Sequence, residues 1–337
     1  MTRTRTRSAS ATASSRTMTA VAQDRYGGPE VLRPERAPVP EVRAGEVLVR
    51  AAAVSVTQAD IALRSGSPWF ARLFAGPVRP RIRVIGGVVA GVVDVVGAGV
   101  KAPRPGDRVV GSTMAGACAE LVRLRAEDLV PVPDGMADVD AVAVVEGGLT
   151  ALPFLRDHGT VGPGSRVLVH GAASAVGVSA VQLAVHLGAE VTGVVGPTGL
   201  ELVRSLGAAH VVDRSREDFT RLGERYDVLL DAVGKSSFRR CRPILARGGV
   251  YLTTVPSAAI LGQSLWRRWS RTARAGIAFT GLRPRAAQRA DTAELLRLAA
   301  GGRVRAVVDR TYRLTAAADA HAYVGSHRKP GAVVLLP

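Results

Sequence analysis

Apolar residues follow different patterns in the two parts of the chain. Between Met18 and Val130 they form short runs, which turns such as Gly27-Gly28-Pro29 and Pro103 to Asp107 separate. Short runs between Pro and Gly turns are typical of strands. We therefore expect a β-rich, partly open barrel, with strands at Thr19–Gln23, Glu46–Ala53, Val84–Val96, Arg108–Val110 and Cys118–Val122.

The stretch from Arg166 to Val195 has a different order. Val167 to His170 form a short apolar run, a turn of small residues follows, and from Val176 apolar residues recur at helical spacing until Gly188. A second apolar run closes the stretch. This order predicts a βαβ unit of the length that binds a dinucleotide.

Helices and strands alternate from Ala141 onwards. The other predicted helices are Leu200–Leu206, Asp218–Leu222, Phe238–Leu245 and Asp291–Ala300, and the other predicted strands are His210–Val212, Val228–Asp231, Val250–Thr254 and Ile277–Thr280. This alternation predicts an α/β fold with a doubly wound parallel sheet. The β pattern returns at Ala306–Leu314 and Ala332–Leu336, so the carboxyl end is expected to rejoin the first domain.

The turn of the βαβ unit carries the candidate phosphate site. A pyrophosphate must approach the backbone N–H groups at a helix N-terminus, and each Cβ in its way pushes it out. The three positions of the usual G-x-G-x-x-G pattern are Ala172, Ser174 and Gly177, of which only the last is glycine. The turn alone fits a connection without a ligand equally well, whereas the surrounding βαβ unit favours a dinucleotide. We expect the Ser174 hydroxyl to meet the pyrophosphate.

Composition limits the class of protein and its partners. With 337 residues and 47% hydrophobic content the chain is long enough for two packed domains, and no apolar run has the ~18 residues of a membrane span. The two cysteines form no metal or disulfide pattern, so a reducing cytoplasm is expected. The formal charge of +17 would suit nucleic acid, but nearly all of it is arginine, which indicates a coding bias and argues against that partner.

Two segments fall outside the regular pattern. Residues 1–17 are basic and have no apolar period, which predicts a disordered tail. Ala258 to Ala275 places Trp266 and Trp269 among arginines. This segment could form a lid over a hydrophobic substrate, an amphipathic contact with a membrane surface, or a surface helix at a domain or dimer interface.

Several segments, taken in order, carry a family likeness: Asp24–Leu32, Gly45–Val49, Ala90–Val93, Pro105–Val109, Gly148–Ala151, Asp231–Gly234 and Gly248-Gly249. Together they resemble the medium-chain dehydrogenase/reductase superfamily and, within it, the zinc-free quinone oxidoreductase-like branch. The likeness extends from Met18 to Pro337. It implies a GroES-like barrel domain (18–143 and 303–337) and a Rossmann domain (144–302), with nicotinamide and substrate in the cleft between them.

The resemblance also has consequences for the metal content of the protein and for the reaction that it catalyses. Zinc-dependent relatives bind the metal through a Cys, a His-Glu pair and another Cys, whereas the matching positions here are Thr57, Gly87-Val88 and Gly147 or a neighbour. None of these is a useful zinc ligand, so no catalytic zinc is predicted. Without a metal, hydrogen bonds must activate the carbonyl group. The predicted activity is NADPH-dependent reduction of a quinone or an α,β-unsaturated carbonyl substrate, the enoyl group of a pathway intermediate included.

Two residues are candidates for the chemistry. Thr57 stands where this branch usually has an asparagine that faces the nicotinamide, and its hydroxyl could donate to substrate or serve only the backbone. Asp60 is expected to accept from turn amides. Glu146 lies in an apolar context where relatives have an apolar or small residue. Burial there would raise the pKa of its carboxyl and suit an acid or base, although a carboxylate at a helix end or turned to solvent is the alternative.

The expected cofactor contacts follow from the family and from the predicted turn. They are Thr150, Ala173, Ser174, Ala175, Val176, Gly177, Gly196, Thr198, Val233, Thr253 and Thr254. Because no acid follows the second strand of the unit, NADPH is favoured over NADH. Gly196, Thr198 and Arg204 are then expected to hold the 2′-phosphate. His170 is expected to be a satisfied strand-end residue, and a serine after Lys235 to cap the next helix.

Two questions stay open at this level. A homodimer is expected, because the strand Ile277–Thr280 could extend the sheet into a second subunit. The alternative to a reductase is a weakly catalytic NADPH-binding protein that acts through its basic surface on RNA or a membrane.

Overall fold

The computed structural model describes residues 16–256, 260, 273–278 and 280–337. Most of the predicted tail and most of the Arg/Trp segment, with Trp266 and Trp269, lie outside these residues. Thr17, placed in the tail by the sequence, is the first residue of a strand. Within the described part of the chain, no helix combines the length and apolar content needed to cross a membrane.

One sheet of six parallel strands forms the α/β part, as predicted. Its strands are β8 (Arg166–His170), β9 (Glu190–Val195), β10 (His210–Asp213), β11 (Tyr226–Asp231), β12 (Leu245–Thr253) and β13 (Ala273–Ile277). They are ordered β10-β9-β8-β11-β12-β13, so the order reverses between β8 and β11. A reversal of this kind opens a crevice at the carboxyl ends of the strands, where doubly wound sheets bind their ligands.

A second sheet combines strands from both ends of the chain. It contains β3 (Glu46–Ser55), β4 (Val88–Val96), β5 (Arg108–Ser112), β6 (Leu121–Arg125), β7 (Val130–Pro131), β14 (Val308–Arg313) and β15 (Ala332–Leu336). The path is β14-β15-β3-β4-β5-β7, and β6 also pairs with β3. β1 (Thr17–Ala22) and β2 (Arg33–Pro38) form a separate antiparallel pair. The carboxyl end thus returns to the barrel, because β15 pairs with β3.

The helices connect and cover these sheets. They are α1 (Gln58–Ser65), α2 (Ala71–Ala75), α3 (Asp138–Pro153), α4 (Ala175–His186), α5 (Leu200–Ser205), α6 (Phe238–Cys241), α7 (Arg285–Ala300) and α8 (Ala317–Gly325). α4 is the helix expected from the apolar period, and Gly188 with a φ of +85° follows its end. Such a φ is easy only for glycine, so the helix stops there.

Helix α3 packs against both sheets at once. Val142 and Val145 are buried with residues of β3, β4 and β15, whereas Val144 and Ala151 are buried with residues of β8 and α4. The predicted domain boundary between residues 143 and 144 therefore falls inside one helix. This position lets α3 present Glu146 and Thr150 where the two sheets meet.

Several predicted elements differ from the structure. The helix predicted over Asp218–Leu222 is a 3₁₀ turn at Phe219–Arg221, which the Asp218 side chain caps. The strands predicted at Val84–Val96 and Cys118–Val122 are β4 and β6, which begin only at Val88 and Leu121. The last strand of the parallel sheet is β13 rather than Ile277–Thr280, since pairing with Gly249–Thr253 sets its register and Thr280 begins a 3₁₀ turn. The helix predicted over Phe238–Leu245 ends at Cys241, and a 3₁₀ turn containing Pro243, which lacks an N–H, follows it. α7 begins six residues before Asp291, because its first turns are polar and carry no apolar period.

Candidate functional site

The turn between β8 and α4 has the shape that a pyrophosphate requires. Gly171 has a φ of +80°, and the Ser174 Oγ accepts from the Gly177 N–H at 3.1 Å, which caps α4. A Cβ on Gly177 would lie 2.2 Å from the Gly171 carbonyl oxygen, so only glycine allows α4 to start this close to β8. The Ser174 oxygen thus accepts a hydrogen bond from the helix backbone, while its hydroxyl proton can still be donated to a ligand.

Backbone donors of this turn are left for a ligand. Among the described residues, no acceptor receives the N–H groups of Ala173 and Val176. Unpaired N–H groups at a helix N-terminus attract anions, since the helix dipole adds to their partial charge. The predicted contacts from Ala173 to Gly177 therefore fit a pyrophosphate group.

The carboxyl-terminal segment closes one side of the turn. Gly331, which precedes β15, donates its N–H to the Ala173 carbonyl at 2.7 Å and forms a bridge with Ser174. Gly331 has a φ of +80°, and a Cβ there would lie 2.2 Å from the Val307 carbonyl oxygen. The turn and the barrel are thus joined by a contact that needs glycine.

Other predicted cofactor residues follow the neighbouring strands. Val233 comes after β11 and packs against Gly171, where a Cβ would lie 2.6 Å from Val233 Cγ1. Thr253 ends β12 and is buried, and the Thr254 N–H donates to the Asp231 carbonyl at 3.2 Å. These residues therefore share the edge of the sheet at which the turn lies.

Asp231 organises the loop at this edge. Its carboxylate lies 3.0 Å from His170 Nδ1, and it accepts from the Ser236 N–H at 2.8 Å and from the Tyr251 hydroxyl at 3.0 Å. Burial opposes ionisation, but these hydrogen bonds outweigh it and lower the pKa of Asp231. His170 is thus a satisfied strand-end residue, and Ser237 caps α6 as expected for one of the two serines.

The end of β9 shows an arginine that sequence reasoning missed. A Cβ on Gly196 would lie 3.6 Å from Arg214 Nε and 3.7 Å from Arg214 Nη2, and the Arg214 N–H donates to the Val195 carbonyl. Thr198 is exposed nearby. The expected Arg204 instead pairs with Glu201 at 2.6 Å on the surface. Arg214 stands after β10, and only the parallel pairing of β10 with β9 reveals its place.

Thr57 forms the cap of α1. Its Oγ donates to Asp60 Oδ2 at 2.7 Å and accepts from the Asp60 N–H at 3.1 Å, which is a capping box. Asp60 also accepts from the N–H groups of Thr57 and Gly86 at 2.8 and 3.1 Å, so it serves turn amides as expected. Burial raises the pKa of Asp60, although these donors oppose the rise.

Glu146 has a buried cation as its partner. Its Oε1 lies 3.4 Å from Lys329 Nζ, and the two side chains are 7% and 8% exposed. Burial raises the pKa of Glu146; the Lys329 ammonium opposes the rise, and the Asp60 carboxylate adds to it. Glu146 is therefore neither a free helix-end carboxylate nor turned to solvent. Thr150 lies one helical turn further along α3, so it shares the face of Glu146.

Known proteins resemble this chain over nearly its whole length. Residues 43–134 match the alcohol dehydrogenase GroES-like domain, and residues 206–335 match a family described as zinc-binding dehydrogenase. A quinone oxidoreductase of Pseudomonas aeruginosa is 32% identical over 93% of this chain and 97% of the relative. A 2-haloacrylate reductase of a Burkholderia species is 29% identical over 95% of this chain and 99% of the relative.

A solved structure agrees with these matches. The Escherichia coli quinone oxidoreductase complexed with NADPH has a TM-score of 0.82 and 27% identity, covering 95% of this chain and all of the other. The chain belongs to the medium-chain dehydrogenase/reductase superfamily, in its quinone oxidoreductase-like branch. It is an NAD(P)H-dependent reductase, and the expected resemblance and fold class are confirmed.

The residues of this reductase do not fit the zinc site of its metal-dependent relatives. The Thr57 hydroxyl is engaged with Asp60, and Gly87 and Gly147 offer no side-chain donor. Cys118 lies beside Gly86, but burial and the neighbouring Asp60 raise the pKa of its thiol well above the ordinary value. Within the described residues, no group of three or more His, Cys, Asp or Glu side chains could hold a metal ion.

Proposed function

We propose that this reductase transfers hydride from NADPH to a quinone or an α,β-unsaturated carbonyl compound and needs no zinc. One observation carries the proposal. The dinucleotide turn, joined to the barrel by Gly331, adjoins a cluster of hydrogen-bonding groups that contains Thr57, Asp60, Glu146 and Lys329. Such a cluster can stabilise an oxyanion or move a proton, whereas its donor set is a poor one for zinc.

Different residues are proposed to bind the cofactor and to take part in the chemistry. The N–H groups of Ala173 and Val176 bind the pyrophosphate, and Thr150 contacts the nicotinamide side of the cofactor. Bound NADPH supplies the hydride. Glu146 is the proposed catalytic residue, whose carboxyl holds the proton that the product needs. The Thr57 hydroxyl, expected from the sequence to donate either to the substrate or to the backbone, gives its one proton to Asp60. Its role is therefore to cap α1 and hold Asp60 in place rather than to donate to the substrate.

The proposed class of substrate follows from the negative charge that the site can stabilise. Hydride addition to the β-carbon of an enone, or to a quinone, places negative charge on a carbonyl oxygen. One or two hydrogen-bond donors are enough to stabilise it in a site from which water is excluded. The similarity to a quinone oxidoreductase and to a 2-haloacrylate reductase supports both substrate types.

Preference for NADPH over NADH is supported by the end of β9. Residues Gly196 to Gly199 carry no acid that would accept from a ribose 2′-hydroxyl, and the Arg214 guanidinium faces Gly196. Arginine is well suited to a phosphate because its planar fork donates two parallel hydrogen bonds. We therefore assign the 2′-phosphate to Arg214 with Gly196 and Thr198, in place of Arg204.

The test is oxidation of NADPH and NADH, followed by absorbance, with quinones, enones and 2-haloacrylates as acceptors. We expect turnover with NADPH and at least one of these acceptor classes. If no acceptor supports oxidation and the protein instead binds RNA tightly in low salt, the basic-surface alternative replaces the reductase.

Two further properties stay predictions with their own measurements. Protein prepared in metal-free buffer is expected to keep its activity and to contain zinc far below one equivalent; stoichiometric zinc that is lost together with activity would contradict this. A homodimer remains expected, since β13 is the terminal strand of the parallel sheet among the described residues. Light scattering of the eluting protein gives its mass directly.

A further inference from the structure

Lys329 is the charged group of the cluster to which no motif in the sequence assigns a role. It lies between α8 and β15, in the segment that ends with the Gly331–Ala173 contact. Only 8% of its side chain is exposed, and Glu146 is its partner. A lysine this buried is uncommon in proteins, because taking an ammonium group out of water costs several kcal/mol.

The pair leaves hydrogen-bonding capacity unused. An ammonium group has three N–H donors, and among the described residues the Glu146 Oε1 is the one acceptor that Lys329 Nζ reaches. On the other side of the pair, Glu146 Oε2 is buried without a partner in the described part of the chain. Buried polar groups are normally satisfied, so the remaining donors and acceptor fit a ligand or water that enters here.

The segment that carries Lys329 leads directly to the dinucleotide turn. Two residues after Lys329, the chain contacts that turn through the Gly331 N–H and the Ala173 carbonyl. The positive charge of Lys329 also reaches Asp60, where it partly offsets the rise that burial causes in the pKa of the carboxyl. Lys329 is therefore near both the turn and the capping box of α1.

We propose that Lys329 is a catalytic residue of this reductase, which hydrogen-bonds the substrate carbonyl oxygen and protonates the product, and that Glu146 is its positioning residue. This inference rests on the proposed function. It refines the role of Glu146, which then acts through Lys329 rather than on the substrate.

The proton and electron count of this step is complete. Hydride brings two electrons and one hydrogen to the substrate, and the resulting enolate or hydroquinone anion carries one negative charge. An N–H bond of Lys329 breaks, and its proton forms the new C–H or O–H bond of the product. The neutral amine regains a proton from solvent by way of Glu146, whose raised pKa suits transient protonation. The sum is one hydride from the cofactor and one proton from water.

Other charged groups near Lys329 must be considered for its pH dependence. They are Glu146 on α3, Asp60 on α1, the Cys118 thiol beyond Asp60, and His327 and Arg328 on its own segment. In the described part of the chain Glu146 is the one of these with a hydrogen bond to Nζ, so it is the direct partner of the ammonium.

The experiment compares Lys329→Met, Glu146→Gln and the exposed control Lys101→Met in the full chain. For each we measure the Kd of NADPH, the rate of a single turnover across pH, and thermal stability. Lys329→Met is expected to keep its affinity for NADPH and to lose about 10²–10³-fold in rate. In Glu146→Gln the rate is expected to fall and its pH profile to change, because an amide cannot return a proton from solvent to the Lys329 amine.

A second readout follows the proton itself. With an enone that carries a methyl group on its α-carbon, the wild-type protein is expected to give one configuration at that carbon, and Lys329→Met a mixture from solvent protonation. A purely structural pair makes the opposite prediction: Lys329→Met/Glu146→Leu, which removes both charges, would then regain wild-type turnover and configuration. Either that recovery or an unchanged rate and product in Lys329→Met overturns the proposal. Absence of turnover in the wild-type protein would instead overturn the proposed function.

Discussion

The Gly331 N–H donates to the Ala173 carbonyl at 2.7 Å, and this bond joins the carboxyl-terminal segment of the barrel to the phosphate-binding turn of the parallel sheet. The two residues are far apart in the chain, yet each supports the other's conformation. The turn therefore depends on a residue that no local motif includes.

Replacing Gly331 with alanine tests this dependence. The residue has a φ of +80°, and its new Cβ would lie 2.2 Å from the Val307 carbonyl oxygen, so backbone must move. We expect a loss of about 2 kcal/mol or more in the free energy of unfolding, and weaker binding of NADPH. Denaturant unfolding and cofactor titration measure the two effects. The matched control is Gly325→Ala, where a Cβ meets no atom within 4 Å; equal effects of both changes would contradict the prediction.

Gly177, the one glycine of α4, is expected to matter for cofactor binding. A Cβ there would lie 2.2 Å from the Gly171 carbonyl oxygen and 2.8 Å from the Ala172 carbonyl carbon. Gly177→Ala must therefore displace the start of α4 and the N–H groups that face the pyrophosphate. We expect an increase of about tenfold or more in the Kd of NADPH, equivalent to about 1.4 kcal/mol. Gly162→Ala, which meets no atom within 4 Å, should leave the Kd unchanged.

Arg214 is expected to discriminate between the two nicotinamide cofactors. A hydrogen bond to a charged group contributes about 1.5–3 kcal/mol, so Arg214→Ala should raise the Kd of NADPH by about 10–100-fold. The Kd of NADH should stay the same, because NADH lacks the 2′-phosphate. Arg204→Ala is the control, since Arg204 pairs with Glu201 on the surface. If Arg204→Ala weakens NADPH binding and Arg214→Ala does not, the assignment from the structure is wrong.

His321 is expected to make the fold sensitive to acid. It is buried in α8, and both ring nitrogens lack a partner among the described residues. Burial, together with the nearby Arg64 charge, lowers the pKa of His321 from 6.5 to about 3. Between these values the unfolded chain binds the proton and the folded chain does not. The contribution to stability is thus complete above pH 6.5 and is lost as the pH falls towards 3, by about 1.4 kcal/mol per pH unit.

Denaturant unfolding of His321→Leu at several pH values measures this contribution. The variant should lose that part of the pH dependence and should unfold at higher denaturant concentration in acid. Replacement of the exposed His186 by leucine in α4 should leave the slope as it is. A slope in His321→Leu identical to that of the wild-type protein would show that another group is responsible.

Much of the dinucleotide site follows from the sequence alone, because its determinants are local. The apolar run of β8, the helical period of α4 and the glycine after it lie within one stretch, and each acts on its immediate neighbours. The same holds for Asp60 as an acceptor for turn amides and for a serine cap on α6. The short apolar runs predicted the barrel, and the family likeness added its GroES-like type and the cleft between the domains.

The features that depend on contacts between distant segments could be seen only in the tertiary structure. Glu146 and Lys329 are 183 positions apart, and only the return of the carboxyl end to α3 brings them together. Arg214 reaches Gly196 because β10 pairs with β9, and β13 takes its register from β12 rather than from its own pattern. The sequence by itself thus determined the turn that we propose holds the cofactor. The partner of the buried carboxyl, and the arginine that faces Gly196, were decided by packing, since no local period or motif encodes a contact across the fold.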